Sequence, residues 1–158
     1  MITAIDTNIL LDLLIPGAPH AVSSEALLDE AYQQGALIIS ETVYAELAAR
    51  FPSQVELDGF LRSTGIRLEH SQPEALHVAS EAWLAYSSRR GQGFQCSECG
   101  EVQAVSCSAC GAPMRLRQHI LADFLIGGHA LKQEDQLLTR DRGYFRTYFP
   151  GLELQEQP

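Results

Sequence analysis

Short apolar runs alternate along this chain with longer stretches in which apolar residues recur every three or four positions. A run such as residues 2–5 is too short for a helix and predicts a buried strand, whereas the longer stretches predict amphipathic helices. The predicted strands are residues 2–5, 37–39, 66–69, 136–139 and 152–154. The predicted helices are residues 9–15, 21–34, 54–63, 73–90 and about 117–131, with a further helix capped by Ser40. This alternation indicates an α/β protein, with a parallel sheet of about five strands between two layers of helices.

The length and composition fit a single domain with a proper core. The chain has 158 residues, 46% of them apolar, and no run approaches the ~18 apolar residues that a membrane span requires. Its start lacks the basic stretch and cleavage site of a secretory signal. We therefore expect a cytoplasmic protein that does not enter a membrane.

The charge is unevenly distributed along the chain. Residues 1–88 contain twelve acidic residues against three arginines, whereas residues 89–146 contain eight basic residues against six acidic ones. The net charge of −9 argues against tight non-specific binding to nucleic acid. Locally clustered arginines can still position phosphates, so nucleic acid is not excluded as a partner.

All four cysteines lie in a segment that glycines and a proline interrupt. Cys96 and Cys99 form a C-x-x-C-G motif, which Cys107 and Cys110 repeat. In such a turn the glycine adopts a positive φ, which allows backbone N–H groups to face the sulfurs. Two such turns complete a tetrahedral four-thiolate site that suits a structural zinc ion, whereas two disulfides or a redox pair are the alternatives.

The cysteine-rich segment also sets the predicted domain organisation. We expect a zinc-ribbon insert at residues 91–116 within one α/β domain formed by residues 1–90 and 117–158. Because cysteine fills all four positions of the predicted zinc site, none is left open for catalysis. The zinc ion should therefore fold the insert.

Four acidic residues are placed to meet at one edge of the predicted sheet. Asp6 directly follows the first strand and Asp141 nearly follows the fourth, while Glu46 and Asp123 lie near the starts of helices. Clustered carboxylates repel one another unless a divalent cation such as Mg²⁺ or Mn²⁺ neutralises them. Taken singly, these acids are equally explained as a helix cap, a turn residue or a solvated helix residue. Three neighbouring acids are interpreted as caps or surface charges: Asp12, Glu41 and Asp135.

Four segments resemble, in chain order, the sequence motifs of PIN-domain ribonucleases. They are Ile5-Asp6-Thr7-Asn8, the helix with Glu46, Asp123-Phe124-Leu125-Ile126 and Leu138-Thr139-Arg140-Asp141-Arg142. The closest likeness is to the toxin nucleases of bacterial and archaeal toxin–antitoxin pairs, and it covers nearly the whole chain outside the insert. The resemblance implies cleavage of single-stranded RNA by water that a bound metal activates.

The resemblance also assigns roles to individual residues. Four acids would be catalytic and hold one or two Mg²⁺ or Mn²⁺ ions: Asp6, Glu46, Asp123 and Asp141. Asn8 would orient the Asp6 side chain, and Thr139 would offer a hydroxyl beside Asp141. Arg140 and Arg142 are candidate phosphate contacts, with exposed turn arginines as the alternative.

Two features depart from the usual family pattern. Gly127-Gly128 stands where many relatives have alanines, although a glycine inside a helix costs about 1 kcal/mol relative to alanine. The other is the insert, because a related group of PIN nucleases that process ribosomal RNA usually carries an appended zinc ribbon. The family makes an antitoxin protein and a second copy of the chain the expected partners. A catalytically silent adaptor for RNA or protein, or a ribosomal-RNA processing factor, is the alternative function.

Overall fold

Four parallel strands form the central sheet in the part of the chain that the structure describes. The structure, a computed structural model, describes residues 1–89, 94–95, 102–114 and 121–155. The strands are β1 (Ile2–Ile5), β2 (Ala36–Ser40), β3 (Ile66–Glu69) and, after the cysteine-rich segment and its four short strands, β8 (Gln136–Leu138). They lie in the order β3-β2-β1-β8 and are flanked by helices, which confirms the predicted α/β architecture.

Among the described residues, the first six helices lie close to the predicted ones, whereas the seventh was not predicted. They are α1 (Thr7–Leu14), α2 (Ala21–Gln34), α3 (Glu41–Ala48), α4 (Gln54–Thr64), α5 (Pro73–Arg89), α6 (Leu121–Gln133) and α7 (Arg142–Tyr148). Ser40 and Ser53 cap the helices that follow them by accepting hydrogen bonds from backbone N–H groups. Gly65 ends α4 in the left-handed conformation, with a φ of 71°.

The central position of β1 determines where its end lies. β1 pairs in parallel with β2 on one side and with β8 on the other. The backbone N–H of Asp6 continues this pairing, since it donates to the carbonyl of Leu138 over 3.0 Å. The ends of β1 and β8 are therefore adjacent, which is the condition for Asp6 and Asp141 to lie at the same edge of the sheet.

The predicted fifth strand was wrong in extent. Leu154 forms an isolated parallel bridge with Leu137, and the residues beside Leu154 do not form a strand with it. The N–H of Leu152 donates to the carbonyl of Phe149 over 3.1 Å, so the turn at Pro150-Gly151 reaches into the predicted strand. Leu137 exchanges two backbone hydrogen bonds with this segment, one with Glu153 and one with Gln155, which together make a single bridge.

Close packing explains the two adjacent glycines of α6. A Cβ on Gly128 would lie 2.5 Å from the carbonyl oxygen of Ala75 and 2.9 Å from the Cβ of Ala79, both on α5. A Cβ on Gly127 would lie 2.4 Å from the ring of Phe149. Both glycines are therefore required by their neighbours, which offsets their unfavourable helix propensity.

The segment between α5 and α6 contains short antiparallel pairs. β4 (Phe94–Gln95) pairs with β5 (Val102–Gln103), and β6 (Val105–Ser106) pairs with β7 (Pro113–Met114). Cys96 and Cys99 of the predicted zinc site lie outside the described residues. The division into an insert and a surrounding domain stays a prediction. Within the described ranges, no helix combines the length and apolar character that a membrane crossing needs.

Candidate active site

The four predicted acids line one cavity at the ends of β1 and β8. This cavity has a volume of about 470 Å³. It is lined by Asp6, Thr7, Asn8, Leu11, Glu46, Ala49, Arg50, Asp123, Asp141 and Phe145. Ligand sites of open α/β sheets lie beyond the carboxyl ends of the strands, which is where this cavity opens. We refer to it below as the acidic cavity.

Asp6 is the most buried of the four acids. It follows the apolar strand β1 directly, and only 7% of its surface is exposed. Its Oδ2 accepts hydrogen bonds from Asn8 Nδ2 and Thr139 Oγ1, each over 2.6 Å. These bonds hold the carboxylate in place from both α1 and the segment after β8. The supporting role of Asn8 stays a prediction.

Burial and neighbouring charge together perturb the ionisation of Asp6. Its pKa rises from 3.8 to about 6, mainly because burial disfavours the charged form. The hydrogen bond from Thr139 opposes this rise, whereas the negative charges of Asp123 and Glu46 add to it. Two of the other acids therefore lie close enough to Asp6 to affect its pKa, although they come from distant parts of the chain.

Glu46 is bound to the first residue of α1. It lies half-buried on α3, and its Oε2 accepts a short hydrogen bond from the hydroxyl of Thr7. Thr7 follows Asp6 directly in the chain, so its hydrogen bond holds the Glu46 carboxylate next to the residue that carries the Asp6 carboxylate. Sequence reasoning missed the role of Thr7, although Thr7 stands inside the Asp-Thr-Asn motif.

Asp123 and Asp141 both lie close to Tyr144. Asp123 is half-buried in the first turn of α6, and Asp141 is exposed immediately before α7. The pKa of Tyr144 is raised, first by its burial and then by the negative charges of Asp123 and Asp141. Two acids thus lie near one buried phenol, and no local pattern predicts that the phenol lies there.

Thr139 connects two of the acids. Its hydroxyl donates to Asp6 and accepts a hydrogen bond from the backbone N–H of Asp141 over 3.1 Å. The sequence predicted this hydroxyl beside Asp141, and the structure adds its bond to Asp6. Across the described ranges, no three His, Cys, Asp or Glu side chains are grouped closely enough to hold one metal ion. The acids share the cavity, and their coordination of a common ion stays a prediction.

Comparisons with known proteins find a likeness in fold. No protein-family model and no curated protein sequence matches the chain. The chain is similar to the structure of VapBC-1 from nontypeable Haemophilus influenzae, with a TM-score of 0.62 and 18% identity over 99% of this chain and 98% of that one. It is also similar to VapBC2 from Rickettsia felis, with a TM-score of 0.60 and 18% identity over 98% of each chain.

A third solved structure has the same architecture. VapC20 from Mycobacterium tuberculosis, a toxin that cleaves the sarcin-ricin loop, matches with a TM-score of 0.53 and 15% identity over 96% of this chain and 98% of that one. The fold is PIN-like. At these identities the likeness concerns the path of the backbone, and the chemistry must be argued from the side chains of this chain.

The donor set of this PIN-like chain fits a hard divalent cation. Carboxylate oxygens are the ligands that Mg²⁺ and Mn²⁺ prefer, and four acids contribute them to the acidic cavity. A cation would also offset the burial and the negative neighbours that disfavour ionised Asp6. The cavity therefore has the chemistry for such an ion.

Arg140 and Arg142, the two predicted phosphate contacts, both lie against other parts of the protein. Arg140 forms an ion pair with Asp12, its Nε lying 2.9 Å from Asp12 Oδ2. Asp12 is 5% exposed, so its interpretation as a cap or surface charge was wrong. Arg142 is half-buried, and its Nε is inaccessible to solvent. Both phosphate contacts stay predictions.

Arg50 is a basic residue that sequence reasoning missed. It is exposed, just after the end of α3, and lines the acidic cavity. Its position four residues after Glu46 was a usable signal, since residues four apart share a helix face.

The second cysteine pair forms the turn that its motif predicts. The N–H of Gly111 donates to the carbonyl of Cys107 over 2.8 Å, and Gly111 has a φ of 74°. The pKa of the Cys107 thiol is lowered, first by the N–H of Ala109 and then by that of Cys110. Backbone N–H groups therefore favour a thiolate at Cys107, which is the form that binds metal.

Proposed function

We propose that this chain is an endoribonuclease that cleaves single-stranded RNA with the help of Mg²⁺ or Mn²⁺. The observation that supports this most is the burial of Asp6 in one cavity with three other acids, two of which already raise its pKa. A carboxylate kept in such a place is costly unless a cation occupies the cavity. The motif resemblance and the PIN-like fold support a nuclease over other metal-dependent hydrolases.

In this proposal two of the four acids are held by hydrogen bonds from neighbouring side chains. Asn8 and Thr139 hold the Asp6 carboxylate, and Thr7 holds that of Glu46. Asp123 and Asp141 complete the set from α6 and the segment before α7. A divalent ion held by these residues would activate water and stabilise the leaving oxygen of the phosphodiester.

The decisive test is cleavage of single-stranded RNA with Mn²⁺ present, then removed with a chelator, then restored. We expect cleavage by the wild-type chain, and a large loss in variants of the cavity acids, Asp6→Asn, Glu46→Gln, Asp123→Asn and Asp141→Asn. Glu30→Gln is a matched control, because Glu30 is an exposed acid on α2 outside the cavity. Metal-independent cleavage, or equal rates in all variants, would contradict the proposal and favour a catalytically silent adaptor.

We further propose that Arg50 contacts a phosphate of the bound RNA. Replacing Arg50 with glutamine should raise KM about threefold to tenfold, with little change in kcat, because one phosphate contact is lost. A plot of the logarithm of the binding constant against the logarithm of the salt concentration has a negative slope, and its magnitude should decrease by about 0.7. Arg67→Gln is the control, since Arg67 is an exposed arginine on β3. An unchanged KM and salt slope for Arg50→Gln would remove Arg50 from the RNA site.

The four cysteines are proposed to hold one structural zinc ion. Metal analysis of the reduced, purified chain should find about one zinc per chain. Cys107→Ser should lose it, whereas Ser108→Ala, which changes a residue between Cys107 and Cys110, should retain it. If the protein contains no zinc and its cysteines are paired as disulfides, the alternative from the sequence is correct.

The proposed partners follow from the same resemblance. We propose that a protein antitoxin inhibits the nuclease, that the chain forms a homodimer, and that it acts in the cytoplasm. Co-expression with the product of a neighbouring reading frame, followed by size-exclusion chromatography of the chain alone and with that product, tests both partners. A monomer that fails to bind that product would contradict them.

A further inference from the structure

An ion pair between buried Asp12 and exposed Arg140 joins the start of the fold to the segment that carries Asp141. Asp12 lies on α1 and accepts a hydrogen bond from Ser24 Oγ of α2 over 2.6 Å. Its partner is Arg140 Nε at 2.9 Å, and the side chain of Asp12 is only 6% exposed. A buried carboxylate without a charged partner is costly, and Arg140, whose side chain is 35% exposed, supplies that partner from the surface.

Arg140 makes two further contacts with α1 through its backbone and its side chain. Its backbone N–H donates to Asn8 Oδ1 over 3.3 Å, and its Nη2 donates to the Asn8 carbonyl over 3.5 Å. Asn8 in turn donates to Asp6 and to Thr139. One continuous set of contacts therefore runs from Ser24 to the buried carboxylate of the acidic cavity.

The neighbours of Arg140 in the sequence are the two residues that depend on its position. Thr139 donates its hydroxyl to Asp6, and Asp141 donates its N–H to that same hydroxyl. A shift of this short segment would move both groups together. We propose that Arg140 is a positioning residue: its ion pair with Asp12 fixes residues 139–141 against α1 and so sets the geometry of Asp6 and Asp141.

This assignment rests on the proposed function for its effects on Mn²⁺ affinity and RNA cleavage, whereas its effect on amide exchange in the metal-free protein does not. It differs from the role that the sequence suggested, in which Arg140 binds a phosphate. A phosphate contact would act without Asp12, which lies buried between α1 and α2. A positioning role requires Asp12 and Arg140 to act as one unit, so the two roles predict different behaviour for paired variants.

The test is a double-mutant cycle with Asp12→Asn, Arg140→Gln and the double variant. The first readout uses the metal-free protein: hydrogen exchange of the Arg140 and Asp141 amides, followed by NMR. We expect both single variants to speed exchange at these amides. The second readout is Mn²⁺ affinity by calorimetry without RNA, which each single variant should weaken about tenfold, since residues supporting metal ligands have effects of that order. The double variant should be no worse than either single variant.

The RNA measurements then separate the two roles. If Arg140 is a positioning residue, its replacement should lower kcat and raise the Mn²⁺ concentration needed for half-maximal cleavage. KM for RNA and the salt dependence of RNA binding should stay unchanged. Arg140→Lys should recover part of the Mn²⁺ affinity by keeping the charge. Arg67→Gln serves as the control for loss of an exposed arginine.

Several outcomes would overturn the proposal. Arg140→Gln could raise KM and lower the salt slope while Asp12→Asn leaves Mn²⁺ affinity intact, in which case Arg140 contacts RNA. Additive effects in the cycle would also contradict it. If Asp12→Asn does not fold, Ser24→Ala replaces it in the test, because it removes the hydrogen bond that Ser24 donates to the Asp12 carboxylate. This variant is then compared with Arg140→Gln and Arg140→Lys. If the chain binds Mn²⁺ but cleaves no RNA, the proposed function fails while the exchange and affinity readouts still decide this inference.

Discussion

Replacing Asp6 with asparagine should abolish RNA cleavage and at the same time stabilise the metal-free protein. Cleavage should fall by more than about 100-fold, because even residues that only support a metal ligand have effects of about 10- to 100-fold. The asparagine retains an oxygen that can accept the hydrogen bonds from Asn8 and Thr139. What it removes is the buried charge.

The gain in stability has a defined pH dependence. The pKa of Asp6 rises from 3.8 to about 6 on folding, so the folded state binds the proton more tightly than the unfolded state does. The protonated carboxyl stabilises the fold below pH 3.8, and this contribution is lost as the pH rises through about 6. Above that pH the asparagine variant should be more stable than the wild type, by up to about 3 kcal/mol.

Denaturant unfolding of both proteins from pH 4 to pH 8, with a chelator present, measures this difference. The advantage of the variant should grow with pH and should shrink when Mn²⁺ is added, because only the wild type gains from the ion. A variant that is less stable than the wild type at pH 7 without metal would show that Asp6 is not a strained carboxylate. Glu30→Gln should show neither change.

Replacing Gly128 with alanine should destabilise the protein despite the better helix propensity of alanine. The new Cβ would lie 2.5 Å from the carbonyl oxygen of Ala75, which is backbone and cannot rotate away. Overpacking should cost about 3 kcal/mol, and the propensity gain should return at most about 1 kcal/mol. We expect a net loss of about 2 kcal/mol, and thermal unfolding should show a fall in Tm of about 4–8 °C.

Gly59→Ala is the matched control for this prediction. Gly59 also lies inside a helix, but its nearest neighbour there is the flexible end of Arg62, 3.9 Å from the added Cβ. This variant should gain up to about 1 kcal/mol from helix propensity. If Gly128→Ala behaves like Gly59→Ala, then α5 and α6 do not pack as closely as the structure describes.

The strands and helices could be predicted because local patterns determine them. The buried strand that ends before Asp6 follows from four consecutive residues of suitable polarity, and the cap at Ser40 follows from a single side chain. The predicted strand at residues 152–154 was wrong in extent because a turn competes for Leu152. Such competition depends on where the chain returns to the sheet, and no local pattern contains that information.

The sequence by itself determined the order of the strands and the cysteine motifs, since each depends on residues close together in the chain. The four acids were singled out by the resemblance of short motifs around them. Only the tertiary structure decided which distant side chains meet. It paired Asp12 with Arg140, placed Arg50 in the acidic cavity and brought Ala75 against Gly128. The physical reason is that burial and ion pairing depend on distances in space, and the sheet order β3-β2-β1-β8 sets those distances.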